Sequence, residues 1–178
     1  MISKYYNQSK KEYILILFFL LLNLLFYGRA ITQGFFFWDD ISILVNASKY
    51  LPNFTNPHLI HFQPIYNIIM SFLWRLLRVN WPIYAEILIL VQCFNGFLLY
   101  LLFKENGYDK SISLILVLFF CASPITAKSA VWMVMLSQML TTTFFLLSLL
   151  LINRRLTSLL FLLLSFGCFS PLLNGGYN

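Results

Sequence analysis

Long runs without a charged residue alternate with short charged or polar breaks along this chain. An α-helix needs about 20 mostly apolar residues to cross the hydrocarbon core of a bilayer, and several of the runs approach that length. Five such runs that are rich in Leu, Ile and Phe cover residues 13–28, 87–103, 111–127, 129–153 and 156–178. Charged residues make up only 10% of the chain, against about 25% in ordinary soluble domains, and apolar residues make up 60%. The pattern predicts an all-α polytopic membrane protein with a single membrane domain over residues 1–178.

Charges and turn residues give the boundaries of five predicted transmembrane helices. We expect them at about residues 13–31, 82–103, 111–122, 131–153 and 156–173. The basic residues before the first run would also suit a secretory signal peptide. However, Phe35-Phe36-Phe37-Trp38 stands where small residues would be needed for cleavage. We therefore expect the first run to be retained as a transmembrane helix.

The basic residues favour a cytoplasmic N-terminus. In that orientation the cytoplasmic segments hold Lys4, Lys10, Lys11, Lys104, Lys110, Arg154 and Arg155. The outer segments hold Arg29, Lys49, Arg75, Arg78 and Lys128. Most of this outer group lies in or beside one long loop, where the positive-inside rule is weakest. We expect an integral protein of the cell membrane whose loop 32–81 is extracytoplasmic.

Two juxtamembrane helices are predicted within this loop. From Asp40 onward, Ile41, Leu44, Val45 and Ser48 share one helical face, which indicates a short amphipathic helix lying on the membrane. A second helix is predicted over residues 64–77, because a proline suits the first turn of a helix. The uncharged part of this second stretch is too short to span a bilayer, which favours a surface helix over a sixth transmembrane helix.

An acidic pair, Asp39-Asp40, follows the aromatic run at the start of the loop. Carboxylates are costly near hydrocarbon, so an acidic pair beside a bilayer surface is a candidate functional site. Trp and Phe mark the membrane interface, which puts the pair at about the level of lipid phosphates. The alternative is that Asp39 or Asp40 is the N-cap of the first loop helix, and the two roles are compatible.

The order of these features resembles the N-terminal part of the GT-C-type membrane glycosyltransferases. The nearest groups are the protein O-mannosyltransferases and the bacterial aminoarabinose-transferase-like enzymes. Three further stretches carry the resemblance, namely His61-Phe62-Gln63-Pro64-Ile65-Tyr66, Trp81-Pro82-Ile83-Tyr84-Ala85 with the run 95–103, and Phe119-Phe120-Cys121-Ala122-Ser123-Pro124 with residues 128–132. Their order along the chain resembles the family more than any one motif does. Family members usually have more transmembrane helices, so the resemblance implies that this chain is a fragment, inactive alone.

The resemblance implies transfer of a sugar from a polyprenyl-phosphate donor to a hydroxyl acceptor on the outer side of the membrane. Asp39 or Asp40 would take the proton of the attacking hydroxyl, and the family favours Asp39. Contacts to the substrate are expected from His58, His61, Gln63 and Lys128. Gln63 occupies a position where the family often has Arg or Lys. The expected partners are the lipid-linked donor and membrane lipids.

The two histidines raise the question of a metal ion. Their spacing of three would allow shared binding with a carboxylate on a helix, but Pro57 and Pro64 flank them and favour a loop. We predict no metal site, although a divalent metal remains possible as a cofactor, since the sequence neither requires nor excludes one.

Other classes of function are open or excluded by the same pattern. The net charge of +6 is spread along the chain, so no nucleic-acid partner is expected. A transporter would carry ionisable groups within its transmembrane helices, whereas the polar residues here are Asn23, Gln92, Asn95 and Gln138. Cys93, Cys121 and Cys168 lie in apolar runs and are predicted to be packing thiols. A non-catalytic membrane assembly subunit or a transporter component remains the alternative to an enzyme.

Overall fold

The structure, a computed structural model, describes residues 14, 17–34, 36, 38–48, 64–123 and 132–168, and only the backbone of residues 30, 38–40, 42, 46 and 134. Every regular element in these residues is helical. The elements are α1 (Leu17–Gln33, with a turn at Gly28), α2 (Trp38–Ala47), α3 (Pro64–Leu77), α4 (Trp81–Glu105), α5 (Lys110–Ala122), a 3₁₀ turn (Met133–Met135), α6 (Leu136–Leu150) and α7 (Arg155–Cys168). The all-α prediction is confirmed for this part of the chain.

Two antiparallel hairpins form the body of the fold. In the first, α4 turns into α5, and Asn106 closes the end of α4 by donating its side-chain amide to the Leu102 carbonyl at 2.7 Å. In the second, Ser158 of α7 donates to the Ser148 carbonyl of α6 at 2.9 Å, and Ser165 donates to the Thr141 carbonyl at 3.1 Å. Residues later in α7 pair with residues earlier in α6, so α6 and α7 are antiparallel.

The remaining contacts set the directions of α1 and α6 against α4. α1 is antiparallel to α4, since Phe19 packs beside Tyr100 near one end and Tyr27 packs beside Ile89 nearer the other. α6 is parallel to α4. The first residues of both helices belong to the same buried cluster, and further along Thr143 of α6 donates a hydrogen bond to Asn95 of α4. Thus α1, α5 and α7 run one way and α4 and α6 run the other. The two hairpin turns lie at one end of the fold, called the turn end. Helices α2 and α3 lie at the opposite end, called the loop end.

Glycines permit two of the close helix contacts. A Cβ on Gly96 would lie 3.2 Å from the Cys121 sulfur, so the glycine lets α4 approach α5. A Cβ on Gly167 would lie 2.3 Å from Cδ1 of Ile65, so α7 meets α3 through the bare backbone of that glycine. Close approach through small residues is typical of helices packed in a membrane.

Polar side chains share the interior of this fold with its apolar core, and many large apolar side chains are also exposed. The buried polar residues are Asn23, Ser71, Gln92, Asn95, Ser113, Ser137, Thr143, Ser148 and Ser165. Large apolar side chains are exposed along the outer faces of the helices, including Leu25 at 80%, Phe119 at 72% and Leu156 at 85%. An exposed apolar surface of this extent is typical of a surface that is covered by lipid or by another protein.

Among the described residues, one helix is long and apolar enough to cross a membrane. α4 has 25 residues and a mean hydropathy of 1.9 over its most apolar window. At 1.5 Å per residue it is about 37 Å long, against about 30 Å for the hydrocarbon core. The other apolar helices are shorter, at 10–17 residues.

The helix boundaries confirm several expectations and correct others. α3 covers the predicted range Pro64–Leu77, and Cys93, Cys121 and Cys168 are buried free thiols, as predicted. α6 begins at Leu136, later than expected, because a 3₁₀ turn precedes it. The predicted end of the last helix, near residue 173, lies outside the described residues.

The predicted membrane face of α2 is wrong in part. Leu44 is buried against the protein, whereas Ile41 and Val45, which were expected beside it, are exposed. The reason is that α2 packs through Leu44 and Ala47, which lie on an adjacent face of the helix. Periodicity finds an apolar face but does not say whether protein or lipid covers it.

Candidate functional site

Helix α2 is held at the loop end by two small contacts with a large buried cluster. Leu44 is 5% exposed and Ala47 is 4% exposed. They belong to the same buried cluster as Tyr66 of α3, Tyr84 of α4 and Met133 of the 3₁₀ turn. Within this cluster, α2 contacts α3 and the 3₁₀ turn, so two separate parts of the chain fix its position.

An aromatic contact fixes the chain just before α2 begins. The Phe36 ring meets Trp81 edge-on at 5.3 Å and Tyr84 edge-on at 5.7 Å, measured between ring centroids. Such edge-to-face pairs contribute about 0.5–1.5 kcal/mol each beyond the area they bury. Phe36 is three residues before Asp39, so the aromatic contact and the cluster under Leu44 hold the acidic segment from both sides.

The backbone of Asp39 and Asp40 lies in the first turn of α2. The helix begins at Trp38, so both residues are inside the helix and neither is at the N-cap position. Unpaired backbone N–H groups at a helix start give it a partial positive charge, which favours ionised carboxylates there. Their side chains are outside the described atoms, so their role as a base stays a prediction.

Tyr84 is a candidate site residue that the sequence analysis did not single out. Its side chain is 1% exposed, and its hydroxyl has no hydrogen-bond partner among the described residues. A buried hydroxyl without a partner costs about 1–3 kcal/mol, so such a group is a candidate for binding a polar ligand. Its ring touches Phe36, which brings it close to the start of α2. The only signal in the sequence was its position one turn after Trp81.

The other residues that were predicted to contact the substrate are not among the described residues. His58, His61, Gln63 and Lys128 lie outside the described residues. Three arginines, Arg29, Arg75 and Arg78, lie at or near the loop end and are exposed. Among the described side chains, no three of His, Cys, Asp or Glu come together as a metal site would require.

The interior of the described helices contains uncharged polar groups beside its apolar core. Asn95 donates to the Met139 carbonyl at 3.0 Å and accepts from Thr143 at 2.7 Å. Asn23 donates to the Phe19 carbonyl at 2.8 Å, and the Tyr27 hydroxyl donates to the Cys121 carbonyl. Every charged side chain in the described part of the chain is exposed. These groups can hold helices together.

Comparison with known protein families, with curated proteins and with solved structures finds no match for this chain.

Proposed function

We propose that this chain is a polytopic membrane protein of the GT-C type that takes part in the transfer of a sugar from a polyprenyl-phosphate donor to a hydroxyl acceptor on the extracytoplasmic side. The proposal has two parts that can fail separately. The first is that α1, α4, α5, α6 and α7 cross the membrane. The second is that the acidic start of α2 does chemistry at the outer surface.

The large apolar side chains exposed on the outer faces of the helices support the first part. Leu25 of α1, Phe119 of α5 and Phe166 of α7 are exposed at 80%, 72% and 65%, which is costly in water and favourable in lipid. Charges lie at two levels, at the hairpin turns and at the loop end. Between Glu86 and Lys104, α4 carries no charge over about 25 Å, close to the thickness of the hydrocarbon core.

The observation that carries the second part is the anchoring of α2. A surface helix that served only to cover the fold would not need its start fixed from both sides, by Phe36 before it and by Leu44 within it. A site that abstracts a proton does need this, because a positioned base acts only within hydrogen-bond reach of the acceptor. Tyr84, whose ring contacts Phe36, adds a buried hydroxyl to the same region.

The proposed reaction moves one proton and one glycosyl group. The acceptor hydroxyl gives its proton to the carboxylate of Asp39, and its oxygen forms a bond to the anomeric carbon of the sugar. The bond from that carbon to the phosphate oxygen breaks, and polyprenyl phosphate leaves with the electron pair. Asp40, next in the same turn, orients the acceptor or supports the charge of the helix start.

The test is sugar transfer by membranes that contain the protein, with polyprenyl-phosphate sugars as donors and hydroxyl compounds as acceptors. Asp39→Asn keeps the shape of the side chain and removes the base, so we expect a loss of about 10²–10⁴ in rate. Asp40→Asn should lose less. Asp109→Asn, an exposed carboxylate at the turn end, is the matched control and should transfer normally. Near-normal transfer by Asp39→Asn, in a preparation whose unchanged protein is active, would contradict the assignment.

A non-catalytic assembly subunit is the second candidate. The exposed apolar row on α7, formed by Leu156, Leu159, Leu163 and Phe166, favours it, because a partner's helix can cover such a row as well as lipid can. In that case co-purification with a fixed partner would depend on this row, and the carboxylates of α2 would be dispensable.

A further inference from the structure

We propose that two copies of this chain pair in the membrane through the outer face of α6, with Gln138 of one copy hydrogen-bonded to the same residue of the other. The inference rests on the membrane part of the proposed function and is independent of sugar transfer. The occupant of this face is a second copy of the chain, inserted in the same orientation.

Gln138 lies close to the middle of the proposed membrane span. Asn95 is halfway along the uncharged stretch of α4, and it is hydrogen-bonded to both Met139 and Thr143 of α6. Residue 141 is the midpoint of that pair, and Gln138 is about 5 Å from it along the helix. The hydrocarbon core extends about 15 Å on each side of its middle, so Gln138 lies well inside it.

The side chain of Gln138 is on the outer face of α6. It is exposed, whereas its neighbours Ser137 and Met139 are buried, at 3% and 4% exposure. Phe145 is 46% exposed, and Ile152, just past the end of the helix, is 63% exposed. These three exposed residues are seven positions apart, so they lie on one side of the helix. The outer face of α6 is an apolar row with one carboxamide near the middle of the membrane.

Lipid cannot satisfy the hydrogen bonds of a carboxamide. Placing an amide in hydrocarbon without a partner is costly, because lipid chains neither donate nor accept. Within membranes, the side chains of Asn and Gln accordingly form hydrogen bonds between helices. The exposed carboxamide of Gln138 therefore indicates that another helix covers this face of α6.

A second copy of the chain supplies the partner that this carboxamide needs. The group has both donors and an acceptor, so two of them can each donate to the other. Two copies in the same orientation are related by a two-fold axis along the membrane normal, which brings the same residue of each copy to one level. A polar residue at one position of a seven-residue repeat also fixes the register of two paired helices.

Among the described helices, the other exposed faces offer no polar partner at this level. α1, α5 and α7 present Leu25, Phe119 and Leu163 near it, at 80%, 72% and 59% exposure. A contact between α6 and any of these faces would leave Gln138 without a hydrogen bond. Pairing of α6 with α6 of the second copy is the arrangement that satisfies it.

The first experiment is oxidative cross-linking of the full chain in the membranes of cells that express it, with the mass of the product as the readout. Phe145→Cys keeps Gln138 and places a thiol on the same face, whereas the native cysteines are buried. We expect a disulfide-linked dimer of Phe145→Cys after treatment with copper phenanthroline. Phe119→Cys, at an exposed position on α5, is the matched control and should stay monomeric.

Substitution of Gln138 tests the hydrogen bond itself. Energy transfer between differently labelled copies of the purified chain, measured at increasing dilution in liposomes, gives the dissociation constant of the dimer. Gln138→Leu suits an exposed position in lipid, so it should fold and insert normally. It should weaken the dimer by about 5- to 30-fold, the range for hydrogen bonds between model membrane helices. Gln138→Asn keeps the carboxamide and should retain most of the affinity.

The contrary outcomes separate the pairing from the membrane arrangement. Equal cross-linking of Phe145→Cys and Phe119→Cys, a cross-link from Phe145→Cys to a different protein, or an unchanged dissociation constant in Gln138→Leu would overturn the pairing and leave the membrane arrangement intact. Release of the unchanged chain from membranes by alkaline carbonate would overturn the membrane arrangement and the pairing together.

Discussion

Replacing Thr143 by valine should destabilise the fold by leaving one buried oxygen without a partner. Thr143 donates to Oδ1 of Asn95 at 2.7 Å and also lies 2.9 Å from the Met139 carbonyl. Valine has nearly the same shape and no hydroxyl. The Met139 carbonyl would still accept from the Asn95 amide at 3.0 Å, but Oδ1 would lose its described partner between α4 and α6.

The size of the destabilisation depends on which buried polar groups lose their hydrogen-bond partner. A buried acceptor without a partner costs about 1–3 kcal/mol, whereas a satisfied bond between membrane helices contributes about 0.6 kcal/mol on average. We expect Thr143→Val to lower the free energy of unfolding by about 1–3 kcal/mol. Asn95→Leu should cost less, because it leaves Thr143 and the Met139 carbonyl bonded to each other. In the Asn95→Leu background, Thr143→Val should cost less than half its value alone.

The assay is reversible unfolding in mixed detergent micelles, followed by tryptophan fluorescence. Thr142→Val is the matched control, because Thr142 donates to the Gln138 carbonyl of its own helix at 2.9 Å and reaches no other helix. It should change stability by less than about 0.5 kcal/mol. Equal effects of Thr142→Val and Thr143→Val, or full additivity with Asn95→Leu, would refute the reasoning.

Three further predictions concern packing and the helix end. Gly167→Ala should destabilise by about 1–3 kcal/mol through overpacking against Ile65, and Ile65→Ala in the same chain should recover part of the loss in a chemical unfolding assay. Phe36→Ala should speed proteolysis near the start of α2, because the edge contact with Trp81 is lost; unchanged cleavage would count against the anchoring. Arg78→Gly should raise stability by up to about 1 kcal/mol, measured by the same unfolding assay, since glycine relieves the left-handed backbone. A loss of stability would show that the arginine side chain makes strong contacts within the protein.

The sequence predicts helices more reliably than it predicts what covers them. α3 was found to the residue, because a proline starts it and arginines follow its apolar run. The face of α2 was partly wrong, since the burial of Leu44 depends on residues far along the chain, such as Met133. A helix face that contacts lipid and one that contacts protein show the same periodic pattern of apolar residues in the sequence.

Only those parts of the candidate site that are marked by neighbouring residues in the sequence could be predicted. The acidic pair after an aromatic run stood out, and its backbone lies in the first turn of a helix, inside the N-cap position that was the alternative. Tyr84 did not stand out, because its significance comes from the burial of a hydroxyl without a partner, which only packing reveals. Tyrosines are common at the ends of membrane helices, so the residue type alone carried little information.

The most direct test of the central claim is the side of the membrane on which each end of the fold lies. Single reporter cysteines at Ser48, at the loop end, and at Asn153, at the turn end, can be labelled in intact cells with a membrane-impermeant maleimide. Both positions are exposed, and the native cysteines are buried. We expect Ser48→Cys to be labelled in intact cells and Asn153→Cys to be labelled only after the membrane is opened. Labelling of both positions from the same side would contradict the central claim.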